Sequence, residues 1–245
     1  MNRQVTALLF AGAGAALIMA ARRRSKRGCE CLEQSPQPFL IRKNYKREPG
    51  GIERANAYRS QMYGSVRKIN GKLDCGFDGR PCPQANAVTT SFMGLPVRLN
   101  ENVIPSLKCV EKAIIKNCQT CKPSPRFPNE CNLSWKRYPY QPSNLSGLRY
   151  RRTFRGSEIS MHNFGIGLDI DPSQNSCCGC VGKWKEHRFC KMNLQPYEKM
   201  VMPACWVEQF EKYGWHWLGD DTLEDTMHFE FLGVPPKNLS QPCEK

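Results

Sequence analysis

The sequence is poor in histidine, with four in 245 residues, and it contains neither internal repeats nor low-complexity tracts. It has one long apolar run, and 24% of its residues are charged against 40% that are hydrophobic. These values exclude multi-pass membrane, fibrous and disordered chains. The length allows one sizeable globular domain with additions, or two small ones.

Acidic residues are also few: the chain has 22 of them and 36 lysines and arginines, which gives a net charge of +14. The excess is concentrated between Arg22 and Asn70, where 13 basic and four acidic residues leave +9. The remainder of the chain is only mildly basic. This distribution weakens the inference of nucleic-acid binding that the total charge invites.

Cysteine, in contrast, is abundant: the chain has 14. An even and high number favours up to seven disulfides in an exported protein. The alternative is a structural zinc site with Cys118-x-x-Cys121 and Cys177-Cys178-x-Cys180 as knuckles. No second CxxC lies at a standard distance from the first, so the zinc-knuckle pattern is incomplete.

The amino terminus carries two conflicting signals. Val5–Ala21 is 17 uncharged and mostly apolar residues after Arg3, as in a signal peptide or a short membrane anchor. The following Arg22–Arg27 holds five positive charges, which favour the cytoplasmic side of a membrane. Because of the cysteine content we predict export, to the periplasm, the medium or a membrane-anchored position, with residues 1–27 as signal or anchor.

Composition divides the remaining sequence in two. Residues 28–85 are basic and rich in Pro and Gly, and we predict a tether with a Cys75–Cys82 staple. In residues 86–245 the apolar spacing of Val103–Cys118 predicts a helix beginning near Pro105, and a second helix is predicted at about 197–213. Short strand-like runs between helices predict an α+β domain.

Two strand-like segments contain chemically active side chains. In the first, Ile166, Leu168 and Ile170 alternate with Gly167, Asp169 and Asp171, and His162 lies just before it. In the second, Asp225–Phe231, His228 and Glu230 share the polar face. Adjacent strands of this kind would bring two imidazoles and a carboxylate to one point, the ligand set of a catalytic zinc. Taken singly, each histidine is more often structural, and Asp171 fits a turn cap.

Both segments resemble a known family. Ser160–Asp169 reads S-x-H-x-x-G-x-[AG]-x-D, and Asp225–Glu230 reads D-x-M-H-F-E, with a helix-plus-GWxW segment between them at Met202–Trp217. Over roughly residues 90–235 the chain resembles the zinc D,D-peptidases of the M15 family, which include D-alanyl-D-alanine carboxypeptidases and L-alanyl-D-glutamate endopeptidases of phage endolysins. The resemblance implies a small antiparallel sheet with flanking helices around a zinc cleft.

It also implies residue roles. His162, Asp169 and His228 would bind Zn²⁺, and Asp225 would be the catalytic acid and base. The family has an arginine upstream that polarises the scissile carbonyl; alignment on Gly156 favours Arg152, whereas the distance from Ser160 favours Arg151. Ser160 and Glu230 would orient the metal ligands without binding the ion themselves.

One departure from the family lies at the rim of the cleft. Gly214–Asp221 reads GWHWLGDD where the family has G-W-x-W-G-G-x-W, so Leu218 and Asp221 replace a glycine and a tryptophan. A cysteine-rich insert at Ser173–Cys190 is predicted to be a stapled loop beside the cleft.

The implied activity is zinc-dependent hydrolysis of D-amino-acid-containing peptidoglycan stem peptides, by a monomer. Carboxypeptidase and endopeptidase action both remain open. The runner-up is an inactive zinc-containing binding module of the same fold. The basic arm would be attracted to anionic wall polymers or a membrane surface. It has few interleaved aromatics and no nucleic-acid motif, so no nucleic-acid partner is predicted.

Overall fold

The two segments singled out by their alternating pattern are neighbours in one antiparallel sheet. The computed structural model describes residues 31–150, 158–180 and 182–235. The strands are β1 Val66–Ile69, β2 Lys72–Cys75, β3 Ala87–Phe92, β4 Leu95–Asn100, β5 Leu145–Ser146, β6 Gly167–Ile170, β7 Trp215–Trp217 and β8 His228–Phe231. Four of them form a sheet with the order β5-β6-β8-β7, and two further hairpins are formed by β1 with β2 and by β3 with β4.

The helices flank these sheets, which confirms the mixed α+β class. The predicted helix near Pro105 is confirmed as Ile104–Asn117, with Pro105 in its first turn. The second predicted helix is shorter than expected, because Pro203 caps it and the chain before it forms a separate 3-10 turn. The helices are α1 Arg42–Tyr45, α2 Gly51–Tyr63, α3 Ile104–Asn117, α4 Met161–Phe164 and α5 Ala204–Lys212.

Aromatic side chains fix the sheet against α5. Phe210 of α5 stacks on Phe229 of β8 with ring centroids 4.0 Å apart, and Trp215 of β7 meets Phe210 edge-on. All three rings are fully buried in one hydrophobic cluster. Because Phe229 follows His228 directly, this packing holds β8 rigidly where it carries its histidine.

The predicted tether is wrong over residues 31–85, which fold with the rest of the described chain. Tyr63 of α2 and Val66 of β1 are buried in the same cluster as the rings of α5. The backbone N–H of Gln37 donates to the Leu232 carbonyl at 2.8 Å, and the Gln34 side chain exchanges hydrogen bonds with the Val234 backbone. The segment lacks apolar periodicity because it is held by these polar contacts and by single buried residues.

Six disulfides cross-link the described residues, so the zinc-knuckle alternative is wrong: its cysteines are all oxidised. The predicted Cys75–Cys82 staple is confirmed. Cys29 and Cys243 lie outside the described residues. The remaining disulfides are Cys31–Cys109, Cys118–Cys205, Cys121–Cys131, Cys177–Cys180 and Cys178–Cys190.

No helix in the described part of the chain is long and apolar enough to cross a membrane, and Val5–Ala21 lies outside that part.

Candidate metal centre

His162 is presented by the short helix α4, whose two ends are fixed by sequence. The Ser160 hydroxyl caps the helix by accepting the His162 N–H at 3.3 Å, and Gly165 ends it with a left-handed φ of 71°. A Cβ at Gly165 would lie 2.8 Å from the Asn100 backbone nitrogen, so this close turn requires glycine. The turn directs His162 back over β6.

Asp169 and His228 face each other across the sheet. They are directly paired residues of β6 and β8, which brings their side chains together on one face. Gly167, one pleat away, leaves room for the rings, because a Cβ there would lie 3.1 Å from His228 Cε1 and 3.0 Å from the His162 nitrogen. His162, Asp169 and His228 are each about 95% buried.

These three side chains converge on one point. His162 Nε2 lies 3.1 Å and His228 Nδ1 lies 2.6 Å from Asp169 Oδ1. One ligand atom from each residue lies within 4.8 Å of the other two, a spacing that could hold a metal ion. The structure thus brings together all three residues that the motifs predicted as ligands.

The outward-facing nitrogens of both rings also have acceptors. His162 Nδ1 lies 2.6 Å from the Gly147 carbonyl oxygen, and His228 Nε2 lies 3.3 Å from Glu230 Oε1. With a proton on each outer nitrogen, the inner nitrogens are left as lone-pair donors, which is the arrangement of metal-bound histidines. Two imidazoles and one carboxylate that line a cleft fit catalytic zinc, which takes three protein ligands and keeps a fourth position for water.

Strong electrostatic coupling marks the cluster. Burial disfavours the charged Asp169, but His162 and His228 outweigh it and hold the pKa of Asp169 far below its usual range. Burial likewise opposes a charge on His228, yet its hydrogen bonds to Asp169 and Glu230 raise the pKa of that imidazole well above its ordinary value. Burial lowers the pKa of His162. The charge states of these buried groups are therefore set by their contacts with one another.

Asp225 lines the same cleft as the three clustered side chains. Its Oδ1 is buried and has no hydrogen-bond partner among the described residues. Burial, together with repulsion from Asp169 and Glu230, raises the pKa of Asp225 to about 7 against the attraction of His228 and Arg149. A carboxyl group with a pKa near neutrality can both accept and return a proton.

Among the described residues, Arg149 is a cation in direct contact with the cluster, and sequence reasoning missed it. Its Nη2 lies 2.5 Å from Asp169 Oδ2, and its side chain remains about one-third exposed toward the cleft. The predicted Arg152 and its alternative Arg151 lie outside the described residues. Arg149, Arg151, Arg152 and Arg155 stand too close in sequence for spacing alone to distinguish them.

The N-terminal segment forms one wall of the cleft, where no site was predicted. Arg42 and Tyr45 of α1 line it together with Glu158. Arg42 is paired with Glu158 Oε2 at 3.3 Å and with Asp221 Oδ1 at 2.9 Å. Asp221, which replaces a family tryptophan, is therefore a buried partner of Arg42.

Another part of the lining comes from the cysteine-rich insert and the rim. Cys177, Cys180 and Trp184 of the insert line the cleft together with Leu218 and Leu223. The insert is stapled as the sequence predicted. Asp171, in contrast, is turned away from the cleft: it accepts hydrogen bonds from the backbone N–H groups of residues 143 and 144 and serves as a structural brace.

Comparison with known proteins identifies the same region. A family model described as D-alanyl-D-alanine carboxypeptidase matches residues 154–231, which include the clustered histidines and Asp225. The match confirms the resemblance to M15 peptidases and identifies no finer subtype. Searches of curated proteins and of solved structures found no match.

Proposed function

We propose that this chain, a peptidase of the M15 family by its match over residues 154–231, uses zinc to hydrolyse D-amino-acid-containing stem peptides of peptidoglycan. The observation that carries the proposal is the convergence of His162, Asp169 and His228 beside Asp225 in one cleft. The disulfides and the family are consistent with an exported enzyme, which would meet this substrate outside the cytoplasm.

His162 Nε2, His228 Nδ1 and one Asp169 oxygen would hold the ion. A bound Zn²⁺ would supply Lewis-acid activation of water and of the scissile carbonyl. Gly147 and Glu230 hold the imidazoles in the required tautomer and orientation. The contact of Glu230 with His228 supports the role that the resemblance implied for Glu230, and the Ser160 cap supports the position of α4.

Asp225 moves the proton. As a carboxylate it accepts a proton from the attacking water, and as a carboxylic acid it returns that proton to the leaving amine nitrogen. The raised pKa of about 7 makes both states accessible near neutral pH. The Oδ1 atom of Asp225 accepts no hydrogen bond from the described residues, so it is not committed to a structural partner.

A cation near the scissile carbonyl would stabilise the oxyanion that forms on attack. The resemblance assigns this role to Arg152. Arg149, one of the described residues that line the cleft, supplies another guanidinium. Tyr45, Trp184 and Leu223 supply apolar walls that exclude water from the bond being cleaved.

The test uses the purified, oxidised full chain loaded with zinc and incubated with muropeptides, with and without a chelator. Products are identified by mass spectrometry: loss of terminal D-Ala means a carboxypeptidase, and a cut after L-Ala means an endopeptidase. Asp225→Asn should keep one zinc per chain and lose at least 10²-fold in rate, roughly the contribution of general acid–base catalysis, whereas His162→Ala should lose both zinc and activity.

Asp220→Asn is the matched control, because Asp220 is an exposed carboxylate of the same loop that pairs with Arg126 instead of lining the cleft. It should retain zinc and full turnover. One bound zinc per chain without any cleavage would support the inactive binding module instead. Normal turnover in Asp225→Asn would refute the assignment of Asp225.

A further inference from the structure

A second group of metal-ligating atoms includes Asp225 itself. The Sγ atoms of Cys177 and Cys180 and one carboxylate oxygen of Asp225 lie within 4.8 Å of one another. All three residues line the cleft. In the oxidised chain the two sulfurs are joined in a disulfide and bind no metal.

The backbone holds these residues together independently of the disulfide. Cys177 and Asp225 form an isolated antiparallel bridge. The N–H groups of Cys178 and Gly179 donate to the carbonyls of Glu224 and Leu223 at 3.2 and 2.7 Å. A Cβ on Gly179 would lie 2.5 Å from a carbonyl oxygen of the facing loop, so the two loops are in direct contact.

A second staple holds the same loop. Cys178 is joined to Cys190, and the Thr226 N–H donates to the Ser176 carbonyl at 2.8 Å. Breaking the Cys177–Cys180 bond would therefore leave both thiols close to Asp225. Zn–S bonds of about 2.3 Å place the ligands of a tetrahedral ion about 3.8 Å apart, a spacing that small side-chain rotations would reach.

We propose that reduction of the Cys177–Cys180 disulfide creates a thiolate metal site, with Cys177, Cys180 and Asp225 as ligands, for a thiophilic divalent cation. A dithiol reductant breaks the Cys177–Cys180 bond by thiol–disulfide exchange. The reductant is oxidised to a cyclic disulfide, and its two protons pass to the two protein thiols. The cation then displaces one proton from each thiol, and the Asp225 carboxylate supplies the third ligand.

Occupation of this site would inhibit the enzyme, and this consequence rests on the proposed function. Asp225 cannot accept the proton of a water molecule while its carboxylate is bound to a second cation. The metal binding itself does not depend on catalysis, so the two ideas can fail separately.

The experiment titrates Cd²⁺ into the full chain after graded treatment with a dithiol. Alkylation and peptide mapping identify the opened disulfides, and the ultraviolet thiolate-to-Cd²⁺ charge-transfer band reports binding. The His162 site contains no sulfur and gives no such band. Once Cys177 and Cys180 are reduced, we expect the band with one equivalent of Cd²⁺, together with at least tenfold weaker Cd²⁺ binding in Asp225→Asn.

Two double variants serve as controls. Cys177→Ser/Cys180→Ser should lack the band under identical treatment, and Cys75→Ser/Cys82→Ser, which removes another short staple, should keep it. The same band in both double variants would overturn the proposal. So would the absence of the band from the wild-type chain after mapped reduction of Cys177 and Cys180. The proposal would also fail if the Cys177–Cys180 disulfide resisted reduction until the chain unfolded. A band without loss of peptidase activity would refute the inhibition alone.

Discussion

Replacing Arg42 by methionine should destabilise the chain, because it removes the cation that faces two carboxylates in the cleft wall. The side chain of Arg42 is 12% exposed and that of Asp221 only 3% exposed, so the Asp221 carboxylate would stay buried without its counter-charge. Removing one partner of a fully buried ion pair costs about 3–5 kcal/mol.

Two features reduce that cost here. The Glu158 side chain is 20% exposed and keeps Lys46 at 2.9 Å, and Asp221 still accepts hydrogen bonds from Thr222 and Leu223. We therefore expect a loss of about 2–3 kcal/mol in the free energy of unfolding. For a fold of this size the midpoint of thermal unfolding should fall by roughly 4–12 °C.

The assay is urea and thermal unfolding under oxidising conditions. The matched control is Arg54→Met, whose partner Glu48 is equally exposed, and it should change the free energy by no more than about 0.5 kcal/mol. Adding Asp221→Asn to Arg42→Met should recover part of the loss, because the amide keeps the acceptor without the charge. An Arg42→Met loss no larger than that of Arg54→Met would refute the argument.

Three further predictions concern the candidate metal centre. Burial raises the pKa of Asp225 to about 7, so the folded metal-free chain retains a proton there that the unfolded chain releases above about pH 4. Asp225→Asn should therefore raise the free energy of unfolding at pH 8 by up to about 4 kcal/mol and leave it nearly unchanged at pH 4. Urea titrations at both pH values will check this. Glu230→Gln should weaken zinc binding roughly 10-fold or more in a competition titration, since the amide supports His228 less strongly than a carboxylate does; unchanged affinity would contradict this role. Gly167→Ala should also lower zinc affinity, because its Cβ would press on His228 and on the His162 backbone; wild-type zinc affinity would show that the rings have room to move.

Local sequence patterns predicted the part of the site that lies on regular strands. Alternation places Asp169 and His228 on faces that the antiparallel register then brings opposite each other. No local pattern identifies Arg42, because its role depends on contacts with Glu158 and Asp221, more than 100 residues away in sequence. The high Pro and Gly content of the N-terminal segment predicted a tether, because local composition contains no information about polar contacts with residues that are distant in sequence.

The binding of Gln34 and Gln37 to the end of β8 has a consequence for how the enzyme matures. β8 bears His228 and follows β6 in the chain, yet it pairs with β6 and its end is held by Gln34 and Gln37 from far upstream. A nascent polypeptide therefore cannot complete the candidate metal centre when Asp169 emerges, because His228 is still to be made. The order of synthesis itself delays any metal-dependent activity until β8 has paired with β6.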